Sequence, residues 1–209
     1  MNKINISYAS KLEHNFAQRI LIKTIEQFTG KRKLEKIYKD FSLKNTDPRY
    51  FWSGLLNSMR IKIINKSQSK NTIPVTGRLL MIANHPFGII DGLIMCSLAS
   101  EVRSDFKILT HETLRLIPEL DQFILPIDFN EKSRETIKKN ILTTRKAKQH
   151  LLNNGLLIIF PSGSVSIAKN LKSLAKDDDW KQFTAKLIKQ TKTNVLPIYF
   201  DGKNGFLFH

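Results

Sequence analysis

Between residues 78 and 200 the chain repeats one rhythm: a short apolar run, a turn rich in Gly, Pro or polar residues, then a longer stretch with helical spacing. The runs are 79–83, 107–110, 123–127, 156–160 and 195–200, and the first is apolar at every position. A strand buried on both faces loses the apolar–polar alternation, so these runs predict strands of a parallel sheet. Between them, 91–100, 132–153 and 177–191 predict helices. Asp91 stands near the N-cap of the first. The second puts Ile137, Ile141, Leu151 and Leu152 on one side and stops at Asn154-Gly155. The third opens on Asp177-Asp178-Asp179, an acidic first turn, and turns Trp180, Phe183, Leu187 and Ile188 inward. Strands alternating with helices predict an α/β fold, a mostly parallel sheet flanked by helices.

Upstream the rhythm is different. Leu12, Phe16, Ile20, Leu21, Ile25 and Phe28 predict a helix over 10–29 with Gly30 as its stop, and a shorter one follows at 34–41. Residues 50–64 carry Tyr50, Phe51, Trp52, Leu55, Leu56, Met59 and Ile63 on one side, with Arg60, Lys62 and Lys66 flanking. That stretch suits core, a nucleic-acid platform or a membrane-surface helix, and its nearly encircling apolar residues favour the first and last. After a polar loop at 67–72 comes the turn Pro74-Val75-Thr76-Gly77. The expected organisation is an N-terminal helical, basic, membrane-docking segment at 1–72 and an α/β domain at 73–209. The chain stops just after its last strand, where such a domain usually adds a covering helix, so a C-terminal truncation is the expectation.

Composition narrows the classes. Among 209 residues, 41% are hydrophobic and 25% charged, an ordinary globular balance that excludes wholesale disorder. A single cysteine, Cys96, excludes a disulfide scaffold and any multi-Cys zinc site, and on its apolar helix it reads as inert core. No stretch reaches the roughly 18 apolar residues of a spanning helix; the best, 87–99, is broken by Asp91 and by Gly88 and Gly92. The first residues hold no apolar signal-peptide core, so the chain reads as cytosolic or membrane-surface. Its net charge is +16. Residues 1–80 hold 16 Lys+Arg against 5 Asp+Glu, so most of the excess is N-terminal. That charge suits an anionic partner: nucleic acid, anionic lipid or a phosphorylated substrate.

Candidate chemistry sits directly after the runs, where open α/β sheets bind ligands. Asn84-His85-Pro86-Phe87-Gly88-Ile89-Ile90-Asp91-Gly92 follows the first run. His85 and Asp91 can form a base and its orienter, or can merely cap a turn and a helix. Phe160-Pro161-Ser162-Gly163-Ser164-Val165-Ser166 follows the fourth run. Its small residues let backbone N–H groups approach a phosphate or an oxyanion, or make an ordinary turn. It is neither a P-loop nor a nucleophile elbow. Val195-Leu196-Pro197-Ile198 is a strand with an anomalous proline. His111-Glu112 lacks a second His at zinc-protease spacing, and Asp177-Asp178-Asp179 reads as helix capping rather than a metal site.

In this order the three segments resemble the glycerolipid lysophospholipid acyltransferases, whose blocks are an NH-(x4)-D motif, an FPEGT-type motif and a V-P-V/I-type strand. The nearer likeness is to a bacterial branch with N-H-P-x-G-x-x-D-G, often labelled hemolysin-like, which includes lyso-ornithine-lipid acyltransferases. Asn84, His85, Pro86, Gly88, Asp91 and Gly92 match it, and Val102-Arg103-Ser104-Asp105, Ile117-Pro118-Glu119-Leu120 and Phe200-Asp201-Gly202-Lys203-Asn204 look like it too. The likeness covers roughly residues 20–209. Two departures stand out. Five residues separate His85 from Asp91 where the main family has four, so the loop must be re-routed. Ser162 stands where the main family has Glu.

The resemblance implies an O-acyltransferase that moves a fatty acyl chain from acyl-carrier protein or coenzyme A to a lyso-lipid hydroxyl. It would work at an anionic membrane surface, peripherally, on the cytoplasmic face of the inner membrane. His85 would be the general base and Asp91 its orienter. Asn84, Gly88, Ser162, Gly163, Ser164 and Arg134 would bind substrate, Arg134 as a phosphate or carboxylate ligand unless it is a solvated helix-surface residue. No bound cofactor or metal is expected, and nucleic acid is disfavoured as partner. The rival reading is an inactive acyltransferase-like module that binds anionic membrane or nucleic acid. A hydrolase would need a nucleophile that the sequence does not show.

Overall fold

The computed structural model describes residues 48–64, 73–111, 118–127, 133–168 and 173–204. The helices expected at 10–29 and 34–41, the loop at 67–72 and residues 205–209 lie outside them. The chain divides into two compact units, Met1–Lys62 and Ile63–His209, where the sequence reading drew the division at 72/73.

In the first unit the described helix is α1 (Pro48–Ser58). Pro48 occupies its first position, where a missing N–H costs nothing. The helix is shorter than the expected 50–64. Arg60 turns to φ 58°, and Ile61 N donates to Leu56 O at 2.9 Å, a left-handed stop that satisfies a terminal carbonyl. Phe51, Trp52, Leu55 and Leu56 are buried while Tyr50 is exposed. Of the readings open for this stretch, core therefore holds for Phe51 and Trp52.

The second unit is an α/β fold: β1 (Leu79–Ala83), α2 (Ile89–Ser100), β2 (Phe106–His111), α3 (Pro118–Asp121), β3 (Ile124–Ile127), α4 (Arg134–Leu152), β4 (Leu156–Ile159), α5 (Gln182–Thr191) and β5 (Asn194–Ile198). The five strands are ordered β3-β2-β4-β1-β5, and every pairing is parallel. β1 and β4 are buried along their whole length, which is why they read as unbroken apolar runs. Leu80, Ile82, Leu109, Leu125, Leu157 and Ile159 form one face of the sheet and pack with Ala147 and Leu151 of α4 and Leu187 of α5. α2 covers the other face, where Gly92 lies against Ile108. Both prolines of the sheet, Pro126 and Pro197, fall in edge strands. Proline is tolerated there because the outer N–H has no strand to bind, and it blunts pairing with another chain.

Two expectations about helices need correction. The inward face of α4 is Thr143, Ala147 and Leu151, whereas Ile137, Ile141 and Leu142 are exposed. Small side chains let this helix approach the sheet closely enough for Thr143 Oγ1 to donate to Pro126 O at 2.6 Å. The last helix does not start at Asp177. It opens at Gln182, no acid lies in its first turn, and Trp180 stands 53% exposed before it. Cys96 is fully buried, and burial pushes its thiol well above the ordinary range, which leaves it inert. Among the described residues no helix is long and apolar enough to cross a membrane, and no cluster of metal ligands forms.

Candidate active site

A parallel sheet delivers the ends of all its strands to one edge. Because β4, β1 and β5 are neighbours, the loops that leave them are neighbours too. His85 and the 160–166 loop thus share an edge, as the two post-strand motifs require.

The His85 loop is built around a reversal. Gly88 caps α2 at φ 64°, ψ −125°, a conformation that costs an L side chain heavily. The reversal brings Asp91, the third residue of α2, back under the loop. Asp91 is fully buried. Its Oδ2 accepts from Phe87 N at 2.8 Å and lies 3.1 Å from His85 Nδ1. The cap and the orienter, alternatives in the sequence, are one carboxylate here. The longer His–Asp spacing is accommodated without separating the pair. Asp91 is a hydrogen-bond acceptor, so Nδ1 carries the ring proton and Nε2 keeps its lone pair as a base. Phe160 stacks on the His85 ring at 4.0 Å and 24°, and the His85 side chain remains 18% exposed. The second Asp91 oxygen, Oδ1, is buried with no partner among the described residues.

The loop from β4 grips the same histidine. Ser166 N donates to His85 O at 2.9 Å, and His85 N points at Ser166 Oγ, 3.2 Å, and at Asp177 Oδ1, 3.1 Å. Beyond β5, Phe200 N donates to Asn84 Oδ1 at 2.7 Å and Asn84 Nδ2 donates to Phe200 O at 2.9 Å. Gly202, at φ 122°, lies against the Phe87 ring, where a Cβ would come within 2.8 Å of Cζ. This explains why an Asn-His-Pro-Phe-Gly loop and a Phe-Asp-Gly segment occur together: each end of the first is docked on the second.

The sequence-predicted residues separate into groups. His85 and Asp91 meet. Asn84 and Gly88 shape the loop, Asn84 through Phe200 and Gly88 through its backbone. Ser162 is 1% exposed, and its hydroxyl donates to Ser164 O at 2.9 Å. Gly163 N–H is spent on Phe160 O at 3.0 Å, with φ 73° closing that turn. Ser164 Oγ donates to Asp178 Oδ2 at 2.6 Å. These side-chain and turn bonds hold the loop together. Arg134 is exposed at the start of α4, behind a Ser133 cap that accepts from Thr136 N. It shares the site's edge of the sheet but follows β3, three strand positions from β1, or about 14 Å at ordinary strand spacing. Sequence reasoning missed Asp177 and Phe160 as neighbours of His85. A usable signal existed for the first: the apolar period of the last helix starts only at Phe183, leaving the acids outside it.

Comparison with known proteins adds an independent line. A family model described as Acyltransferase matches residues 61–201. A lyso-glycine lipid O-acyltransferase of Phocaeicola vulgatus is 22% identical over 199 residues, covering 94% of this chain and 67% of the relative. A protein of the same name from Bacteroides thetaiotaomicron is 27% identical over 139 residues, covering 66% of this chain and 48% of the relative. The chain thus spans about two thirds of one relative's length and about half of the other's.

Proposed function

The chain belongs to the acyltransferase family, and we propose that it transfers a fatty acyl group from a thioester donor to the hydroxyl of a lyso-lipid at a membrane surface. The observation that carries this reading is the His85–Asp91 pair, 3.1 Å apart, with a half-buried imidazole over a fully buried carboxylate at the ligand-binding edge of the sheet. Nε2 takes the proton of the acceptor hydroxyl as its oxygen attacks the thioester carbonyl. Asp91 holds the ring and offsets the charge of the imidazolium. The C–O bond forms, the C–S bond breaks, and the imidazolium returns its proton to the departing sulfur. The alcohol is itself the nucleophile, so no acyl-enzyme is required.

The donor is acyl-carrier protein or coenzyme A. The acceptor we put first is a lyso-lipid whose headgroup is an amino acid. Both relatives are named for a glycine lipid, the loop motif resembles the ornithine-lipid branch, and both headgroups bring a carboxylate to a chain of net charge +16. Action at a membrane surface is supported by the exposed apolar side chains at the His85 edge, Ile89 at the start of α2 and Val165, Ile167, Leu174, Trp180 and Tyr199 on the loops. Burial of Phe51 and Trp52 removes those two side chains from the surface that would meet lipid.

The test offers lyso-glycine lipid, lyso-ornithine lipid and lysophosphatidic acid in competition, with acyl-carrier-protein and coenzyme A thioesters in separate arms, and reads products by mass spectrometry. Acylation of either amino-acid lipid ahead of lysophosphatidic acid is expected. A preference for lysophosphatidic acid would overturn the acceptor assignment, and no acylation in any arm would overturn the reaction.

A further inference from the structure

We propose that Asp177 is a positioning residue of this site: its carboxylate fixes the backbone of His85 and thereby the aim of the imidazole at Asp91. The proposal rests on the acyltransferase reading for its kinetic test and on geometry alone for its spectroscopic one. The His85-Pro86-Phe87 turn has two backbone donors, because proline has none. The Phe87 N–H ends on Asp91 at 2.8 Å. The His85 N–H points at Asp177 Oδ1, 3.1 Å away. Two aspartates therefore hold the two backbone donors of the turn, and the one that holds Phe87 N also meets the imidazole.

Asp177 binds more than the histidine. Its Oδ1 also accepts from the Ser166 hydroxyl, and its Oδ2 accepts from Trp180 Nε1 at 2.9 Å. Ser166 in turn returns to His85 through its own N–H, 2.9 Å from His85 O. One carboxylate thus joins the loop after β1, the loop after β4 and the segment leading into α5. The segment is itself anchored: Ile167 and Lys176 exchange backbone hydrogen bonds at 3.1 Å each way. Without the carboxylate, the His85 amide keeps only Ser166 Oγ at 3.2 Å, and the hydroxyl and indole both lose their acceptor. The turn would then shift relative to α2, which carries Asp91. Displacements of about 1 Å at a reacting group can cost on the order of 10² in rate.

Asp179 supplies a matched control. It carries the same charge two residues away and is exposed. Asp177→Asn keeps the shape and one acceptor oxygen but cannot serve three donors. In the full chain, kcat is expected to fall about 10–100-fold, with KM for donor and acceptor changing less than about twofold. Asp179→Asn should match the parent. The low-field proton signal of His85 Nδ1–H, assigned by its loss in His85→Gln, should shift or broaden in Asp177→Asn and stay put in Asp179→Asn. Ser166→Ala should lower kcat less, in the same direction, and Asp177→Asn/Ser166→Ala should be the slowest of the three, because the His85 N–H then loses both of its acceptors. An unchanged resonance and kcat in Asp177→Asn would overturn the proposal, as would an equal loss in Asp179→Asn. Should Asp177→Asn fail to fold, Ser166→Ala decides by the same two readouts. If the parent protein transfers no acyl group to any lyso-lipid, the acyltransferase reading fails, while the His85 resonance still tests the positioning role.

Discussion

Two polar clusters, each built on one buried side chain, stand at opposite ends of one sheet and end differently. At the edge where the strands begin, Arg103 is buried and all of its nitrogens are used. Nε and Nη2 grip Asp105 at 2.8 and 2.6 Å, Nη1 donates to Gly77 O at 2.8 Å, and Nη2 also donates to Asn154 O at 2.6 Å. Those carbonyls sit just before β1 and β4, so the guanidinium staples the entries of two strands. At the edge where the strands end, His85 and Asp91 are held as firmly but are not used up. Among the described residues, Nε2 of the histidine and Oδ1 of the aspartate are left without a hydrogen-bond partner once the loop is built. A buried ion that spends its donors on a neighbouring carboxylate and on backbone carbonyls is structural, since it has nothing left to offer a ligand. A dyad with a held orientation and a spare lone pair can do proton transfer.

The largest expected effect comes from changing the spare-capacity end. Asp91→Asn keeps an acceptor for Phe87 N–H but cannot offset an imidazolium. Its kcat should drop by at least about 10² while circular dichroism stays native. A parent-like rate would remove the carboxylate from catalysis and erase the contrast between the two ends.

The reverse outcome is expected at the staple. Arg103→Met should lower stability by about 1–3 kcal/mol, as buried carbonyls lose their donor, and leave kcat of the folded protein unchanged. Chemical denaturation beside activity checks both halves. The acid limb sharpens the same point. Asp105 has its carboxyl held below the ordinary value, chiefly by the hydrogen bond from Arg103. A carboxyl depressed in the folded state contributes stability above its unfolded pKa and loses it as pH falls through the folded value. Stability of the parent should therefore fall on acidification below about pH 4, and that component should vanish in Arg103→Met. Asp105 is 47% exposed, so the component should be small.

The smallest effect on the fold is expected at the apolar rim. Ile167 and Leu174 are 64% and 65% exposed, so Ile167→Ser/Leu174→Ser should change stability by no more than about 0.5 kcal/mol. Flotation with anionic vesicles should nevertheless weaken severalfold. Equal flotation of variant and parent would move the lipid-facing surface elsewhere.

Most of the sheet was legible because burial on both faces writes itself as uninterrupted apolar runs, Leu-Leu-Met-Ile-Ala at Leu79–Ala83 and Leu-Leu-Ile-Ile at Leu156–Ile159. The His85–Asp91 pair was legible because the partners stand only six positions apart, one on the loop after β1 and one in the first turn of α2. Faces were harder. In α4 the eye follows Ile137 and Ile141, yet close approach to the sheet selected Thr143 and Ala147. Asp177 was hardest, because its partners lie 92 and 11 positions away, and a run of acids before a helix looks like a cap. Ser162 shows a different gap: its motif position suggested a substrate contact, and what the sequence did not reveal is that its hydroxyl also closes its own loop on Ser164 O.

The central claim is that His85 takes the proton of a lyso-lipid hydroxyl during acyl transfer. Its most direct test is the rate of acyl-lipid formation by parent and His85→Ala protein, read by mass spectrometry with circular dichroism on both. A loop histidine supplies little packing, so the variant should keep the parent spectrum and lose about 10²–10⁴ in rate. A natively folded His85→Ala protein that acylates the lyso-lipid at the parent rate would contradict the account.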